Sequence, residues 1–524
     1  MSQRLRCSSH LQTPSSSPVS PSPSTVESRL APEPALATEK ELTNMHKEYY
    51  GSIIDGKELP EAGTATMDSI DPATGGVLAR IQRSDSAIVD EAVASSQRAF
   101  ESWRAVDGSV RADAMNALSK AILDNLDVLA YLESVDNGKP LREAQADVRL
   151  TASYYAYYAG VADKIHGETV PLGPAFHSYT RVEPYGVTAH IVPWNAALQQ
   201  TARGVAPAIA GGNTAVVKPA EDTSMAVVEF ARLAVEIAGI PPGVINVVTG
   251  LGAEAGAALV EHRDVRRIAF TGSVPTGQSV LRASATHLSP ATLELGGKSP
   301  NIVFADADLD KAATGSLTAI NFNAGQVCMA GSRLLVHSSI HDEFVERLTR
   351  LDRAVGLGRG IDNPDMGPIT TEKQYRKILE YFDIGRSEGA EVVVGGGPAH
   401  VAGLEDGRFV QPTIFTGVRN DMRIAQEEIF GPVLSVIVFD DEEEAIRIAN
   451  DTPYGLTAGL WTNDLARAHR VAGRIDAGQV SVNNYFAGGI RTPFGGYKSS
   501  GFGREKGPDA VYHYLQTKSV AIQL

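Results

Sequence analysis

Cysteine is almost absent: the chain carries two, Cys7 and Cys328, in 524 residues. Two cysteines so far apart, the first among serines and prolines, do not make a disulfide framework, and their scarcity suits a reducing compartment. Long apolar runs are missing as well. None reaches the roughly 18 residues of a membrane span, although 43% of the chain is hydrophobic. Positive charge is not in excess: 47 Lys and Arg stand against 62 Asp and Glu, a net charge of -15. That balance disfavours nucleic acid or an anionic membrane as the main partner. No internal repeat and no metal-ligand spacing is read. What remains is an ordinary globular mix, long enough for two or three domains.

Residues 1–44 lack hydrophobic periodicity and are rich in Ser and Pro, the composition of a disordered tail. They hold no acidic residue before Glu27, with Arg4 and Arg6 near the start, as a transit peptide would. Pro14, Pro18, Pro21 and Pro23 oppose the amphipathic helix of a mitochondrial signal. An overextended start before Met45 is a third reading. A cytoplasmic location, with organelle targeting open, is the expectation.

The pattern turns globular near Tyr49. Ile53 to Lys57 reads as a hairpin turning at Asp55-Gly56. Helices are expected at 86–104, 109–127 and 139–165, the last with packing tyrosines Tyr154, Tyr155, Tyr157 and Tyr158. Short apolar runs then alternate with helices. Strands are expected at Val187–Val192, Thr214–Val217, Val244–Val248 and Arg267–Phe270, with helices to Ala210, at 223–238, at 252–261 and from Thr276. This alternation predicts a parallel sheet covered by helices, with ligands at the carboxyl ends of its strands. Further strands are expected near Leu334–Val336, Asn301–Phe304, Glu391–Val394, Leu434–Phe439, Thr457–Trp461 and Val480–Asn483. Val511–Ile522 alternates like a terminal strand without an obvious partner, of the kind that joins another subunit.

Six stretches carry candidate chemistry. Cys328 sits between Gly325 and Gly331 among Asn and Gln, a setting for an approachable thiol rather than a sealed core. Glu294 enters the Gly296-Gly297 turn, where a desolvated carboxylate serves as a base near neutral pH. Gly272-Ser273-Val274-Pro275-Thr276-Gly277 closes a strand and opens a helix, a place for phosphate. It is neither a P-loop, since Gln278 stands where the lysine belongs, nor Gly-x-Gly-x-x-Gly. Lys218 and Glu221 end another strand and would suit ribose hydroxyls, or form a solvated pair. Glu428 at a Gly-Pro turn and the glycine-rich loop Pro493–Gly501 complete the set.

Taken together and in this order, these motifs resemble the NAD(P)-dependent aldehyde dehydrogenase superfamily, over roughly Tyr49 to Leu524. The resemblance implies an α/β fold: a Rossmann-type parallel-sheet cofactor domain, an α/β catalytic domain and a small β oligomerisation element. It divides the chain into an NAD-binding domain (45–160 and 185–293), a catalytic domain (294–500) and an oligomerisation element (161–184 and 506–524). It implies oxidation of a small-molecule aldehyde to the carboxylic acid by a homodimer or homotetramer. Cys328 would be the nucleophile, Asn195 the oxyanion-hole amide, Glu294 the base that activates water, and Glu505 a proton relay. Trp194, Lys218, Glu221, Gly272, Ser273, Gly277, Leu295, Glu428 and Phe430 would bind the cofactor. The Glu221 carboxylate favours NAD over NADP, whose 2′-phosphate it would repel. Glu294 argues against the acylating branch that uses coenzyme A. An esterase-like relative and a non-catalytic protein keeping the fold are the alternatives.

The sequence also departs from the family pattern. Ala196 and Ala197 follow Asn195, and Gly204 replaces a common lysine. Gln199, Gln200 and Arg203 replace apolar or aromatic tunnel residues, and Gly488 an aromatic. From Gln199, Arg203 and Gly488 a wider, more polar tunnel is expected, for a bulky, polar or anionic substrate read by Arg203. The competing reading has Arg203 point to solvent or pair with a carboxylate.

Overall fold

A computed structural model describes residues 46–524; the expected tail at 1–44 lies outside the described residues. The first large sheet has eight strands, in the order 501–502, 291–294, 265–271, 187–192, 214–219, 245–247, 53–54 and 57–58. The run from 291–294 to 245–247 is parallel. Its strands are apolar and β-branched, as in Val187–Val192 and Thr214–Pro219, and nearly every residue is buried. That is the pattern of a sheet covered by helices on both faces. Helix 197–210, behind the sheet, is buried on every side. At its edge the Asp55-Gly56 hairpin forms with both residues at positive φ (53° and 75°), as a tight two-residue turn requires.

Neighbouring parallel strands end at the same edge. The carboxyl ends of 291–294, 265–271, 187–192 and 214–219 therefore bring Glu294, Ser273, Asn195 and Glu221 into one row. A second sheet has the order 391–394, 413–416, 433–439, 333–337, 300–303, 457–461 and 479–482, parallel except at 391–394. Cys328 and Glu428 come shortly before its neighbouring strands 333–337 and 433–439. The second sheet thus offers its amino ends to the carboxyl ends of the first. Strand 501–502 ties them together by pairing with 291–294, placing Gly501 opposite Glu294.

The structure corrects several expectations. The helix expected over 109–127 stops at Asp124, and a separate helix, Leu126–Asn137, follows Asn125. That second helix is buried almost throughout, so no polar face marks it in the sequence. The segment 252–261 begins as a π-helical turn, Gly252–Gly256. Strands 66–70, 77–82 and 413–416 were not expected. The C-terminal strand does have a partner: Leu515–Gln523 pairs antiparallel with Phe176–Pro184 of the same chain, after a 3₁₀ segment at Pro508–Tyr514.

Tyr154, Tyr155 and Tyr158 are core residues, as expected. Tyr155 stacks on Phe230 at 5.6 Å, and the Tyr158 hydroxyl donates to the Gly507 carbonyl at 2.9 Å. No described helix is long and apolar enough to cross a membrane.

Candidate active site

Between helix 309–321 and Cys328 the chain turns left-handed. Asn323, Ala324 and Gly325 have φ of 47°, 52° and 71°. For alanine that conformation costs about 1–2 kcal/mol. Gly325 is required twice over, since a Cβ there would lie 2.2 Å from the Gly431 carbonyl oxygen. Hydrogen bonds hold the turn: Asn323 N–H donates to Glu143 at 3.0 Å, and Gln326 donates to the Asn323 carbonyl from both backbone and side chain. Cys328 emerges partly exposed. Burial pushes its thiol up to about 11, against the pull of Arg203 and with Glu428 and Glu294 adding to the rise.

Asn195 stands at the end of strand 187–192 and is lashed to this turn. Its carbonyl accepts from Asn323 Nδ2 and from Lys139 Nζ, both at 2.9 Å. Its own amide donates to the Gln326 carbonyl at 2.9 Å. A side-chain amide carries two N–H groups, so one remains for the cleft that Asn195 lines. Lys139 is fully enclosed, with Asp147 at 2.7 Å and Glu133 at 3.1 Å. Burial works against its charge, but Asp147 and Glu133 together raise its pKa.

Glu294 is buried, which removes the reading of a surface glutamate; Lys298 beside it is buried too. Neither carboxyl oxygen has a hydrogen-bond partner among the described residues. Burial raises its pKa well above the usual carboxylate range, the Glu505 charge adds to this, and Arg203 opposes it. Arg203 itself forms a buried ion pair with Glu505 and donates to Thr271 Oγ1 at 3.1 Å. Its guanidinium also lies 5.3 Å from the Phe494 ring centre. The expectation that Arg203 reads an anionic substrate is therefore corrected: Glu505 already holds that charge.

Two more substrate expectations shift. Gln199 donates to the Tyr154 hydroxyl at 3.3 Å, and its neighbour Gln200 lines the cleft instead. Gly488 lies against Gln479 and Thr492, outside the cleft lining. Gly204 packs on His190, where a Cβ would come 2.6 Å from the ring nitrogen.

Trp194, Gly272, Ser273, Leu295, Glu428 and Phe430 line one cleft with Cys328, Glu294 and Asn195. Trp194 and Phe430 meet edge to face at 5.3 Å. Glu428 accepts from Gly297 N–H at 3.0 Å, and a Cβ on Gly296 would overlap its carboxylate. Ser273 caps helix 274–287, whose N-terminus opens at the strand end with Gly277 buried against Leu295. Lys218 and Glu221 pair at 2.9 Å beside Gly252 and Gly256, with Lys218 buried and Glu221 half-exposed. Carboxylates for two riboses and a free helix N-terminus for a pyrophosphate suit a dinucleotide. The sequence reading missed Lys139, Glu143 and Lys377, which donates to the Glu428 carbonyl at 2.7 Å. The Asn137-Gly138-Lys139-Pro140 turn was the only available hint.

A cleft between two α/β sheets, lined by a cysteine, a buried glutamate and an asparagine amide, defines a class, and comparison with known proteins names it. The model of the Aldehyde dehydrogenase family matches residues 59–520. The hydroxyisobutyraldehyde dehydrogenase of Mycolicibacterium austroafricanum is 43% identical over 472 residues, covering 90% of this chain and 93% of that protein. The NAD+ complex of aldehyde dehydrogenase from Bacillus cereus superposes with a TM-score of 0.90 at 42% identity, covering 93% and 99% of the two chains. Betaine aldehyde dehydrogenase from Staphylococcus aureus, in complex with NAD+, gives 0.90 at 37% identity, covering 92% and 97%. The chain belongs to the aldehyde dehydrogenase family.

Replacing Lys139 by Met should leave Glu133 and Asp147 buried without their cation and remove one of the donors to the Asn195 carbonyl. The expected loss is about 3–5 kcal/mol of stability, read from urea unfolding, together with a fall in turnover.

Proposed function

We propose that the protein oxidises an aldehyde to its carboxylic acid with NAD, using Cys328 as nucleophile and Glu294 as the base for hydrolysis. The observation that carries this is the convergence of Cys328, Glu294 and Asn195 on the cleft that also holds Glu428 and Phe430. Burial raises the pKa of the Cys328 thiol, so the protonated form predominates at neutral pH. As the S–C bond forms, the thiol proton passes to water in the cleft and the carbonyl π pair moves to oxygen, giving a thiohemiacetal alkoxide on Cys328. The free N–H of Asn195 donates to the developing alkoxide; such a donor is typically worth about 10²–10³ in rate. NAD, when bound, supplies the hydride acceptor. The thioester left on Cys328 needs an activated water, and Glu294 has two unengaged carboxyl oxygens to receive its proton. Glu505, held by Arg203, keeps a negative charge near Glu294 and so makes it more basic.

Lys218 and Glu221 would hold the adenosine ribose, Ser273 with Gly272 and Gly277 the pyrophosphate, and Glu428 the nicotinamide ribose. Glu221, already paired with Lys218, would meet the 2′-phosphate of NADP with a negative charge. Residues 45–160 with 185–293 would form the NAD-binding domain and 294–500 the catalytic one. Segments 161–184 and 506–524 would assemble subunits. Leu172, Phe176, Ile522 and Leu524 are exposed around that two-stranded sheet, an apolar rim suited to a second copy.

Cys328→Ala should abolish NADH formation. Glu294→Gln should keep a first-turnover burst while steady-state turnover falls about 10²–10⁴-fold. A base with a raised pKa works only above it. Wild-type turnover should thus climb with pH through a value well above the usual carboxylate range, and Glu294→Gln should lose that limb. A burst equally suppressed in Glu294→Gln would contradict the assignment, as would turnover that depends on coenzyme A. For assembly, Ile522→Lys with Leu524→Lys should lower the light-scattering mass towards that of a monomer; an unchanged mass would contradict the proposed rim.

A further inference from the structure

Gln200 is a buried amide whose carbonyl is unused. The residue is 8% exposed and lines the cleft that holds Cys328, and its Oε1 has no hydrogen-bond partner among the described residues. The other side-chain amides and the amine of that lining are engaged. Gln374 donates to the carbonyls of Ile429 and Phe430 at 2.7 and 3.0 Å, and Lys377 to that of Glu428 at 2.7 Å. Asn195 donates to Gln326, and its second N–H serves the alkoxide. The neighbouring Gln199 is held by the Tyr154 hydroxyl at 3.3 Å.

Helix 197–210, which carries Gln200, is buried on every side. It follows directly on the 3₁₀ turn Trp194–Ala196, which carries Asn195. The amides of Asn195 and Gln200 thus come from one enclosed run of chain and reach the same cleft. A buried carbonyl without a donor costs free energy that an apolar side chain of similar size would not. Water in the cleft offsets that cost only until a substrate displaces it. Such a group therefore discriminates: it favours a substrate that brings a donor and penalises one that does not.

We propose that Gln200 is a specificity-determining residue whose carbonyl accepts a hydrogen bond from a hydroxyl on the substrate, so that the preferred substrates are hydroxyaldehydes. The inference rests on the aldehyde-oxidising reading and names its substrate class. An amide oxygen needs a donor, which excludes a carboxylate, since that group only accepts. The amide also carries no net charge, so it does not offset the desolvation of an ammonium group. A hydroxyl is the neutral donor that suits it. Because Gln200 and Cys328 line one cleft, the hydroxyl belongs close to the aldehyde carbon, at C2 or C3.

The test compares kcat/KM for 2-hydroxy and 3-hydroxy aldehydes with that for their deoxy analogues, in wild type, Gln200→Met and Gln200→Leu. The intrinsic reactivity of each aldehyde cancels between wild type and variant, and methionine is close to glutamine in length and volume. Gln200→Met should lower the hydroxy-to-deoxy ratio about tenfold at the better position, the worth of a hydrogen bond to a buried group. Gln200→Leu should do the same. A ratio that stays the same in both variants would overturn the proposal. So would an equal fall for hydroxy and deoxy substrates: with a raised KM for NAD it would place Gln200 against the nicotinamide, and with the first-turnover burst retained, on the hydrolytic water. NADH formation from the deoxy aldehydes, lost in Cys328→Ala, checks the underlying reaction separately. Its absence with every aldehyde in wild type would overturn the aldehyde-oxidising reading itself.

Discussion

One buried carbonyl holds the catalytic halves together. The Asn195 carbonyl accepts from Lys139, anchored in the helical layer, and from Asn323, in the turn that leads to Cys328. The Asn195 amide reaches back to Gln326 in the same turn. The end of a strand in the first sheet is thereby fixed to the entrance of a strand in the second. Together with strand 501–502 on 291–294, that tie fixes Asn195 relative to Cys328. The left-handed turn at Asn323–Gly325 is affordable only because these bonds, and the one to Glu143, over-determine it.

The electrostatics follow from enclosure. Burial alone would leave the thiol protonated and Glu294 neutral. Around them the protein sets permanent charges of known sign. Arg203 and Glu505 form a buried ion pair, and Glu505 adds to the rise in the Glu294 pKa. Glu294, with two unengaged oxygens, is a poor contributor to stability and a good acceptor for a proton from water. The same low-dielectric setting that makes these groups costly gives each charge its leverage.

Much of this was legible in the sequence where local chemistry decides. The β-branched runs at Val187–Val192 and Thr457–Trp461 gave strands at those bounds. The glycine turns around Glu294 and Cys328 marked accessible side chains at strand ends. What escaped was set by contacts between distant segments. Lys139 reads as one more lysine at the start of an expected helix until Asn195 is folded onto it. Arg203 reads either as a sensor of substrate charge or as half of an ion pair, and only the fold supplies Glu505, far along the chain, as its partner. Residues 176–184 become a strand because 515–523 lies beside them, and neither segment alone declares the pairing. Helix 126–137 was hidden for another reason: buried on nearly every side, it shows no amphipathic period.

The most direct test of the account is to trap the covalent intermediate. Glu294→Gln would be mixed with NAD and an aldehyde that the wild type turns over, quenched in acid and digested for mass spectrometry. The account predicts an acyl adduct on the peptide that contains Cys328, formed in step with the first equivalent of NADH. NADH released without any adduct on Cys328, or an adduct on another residue, would contradict it.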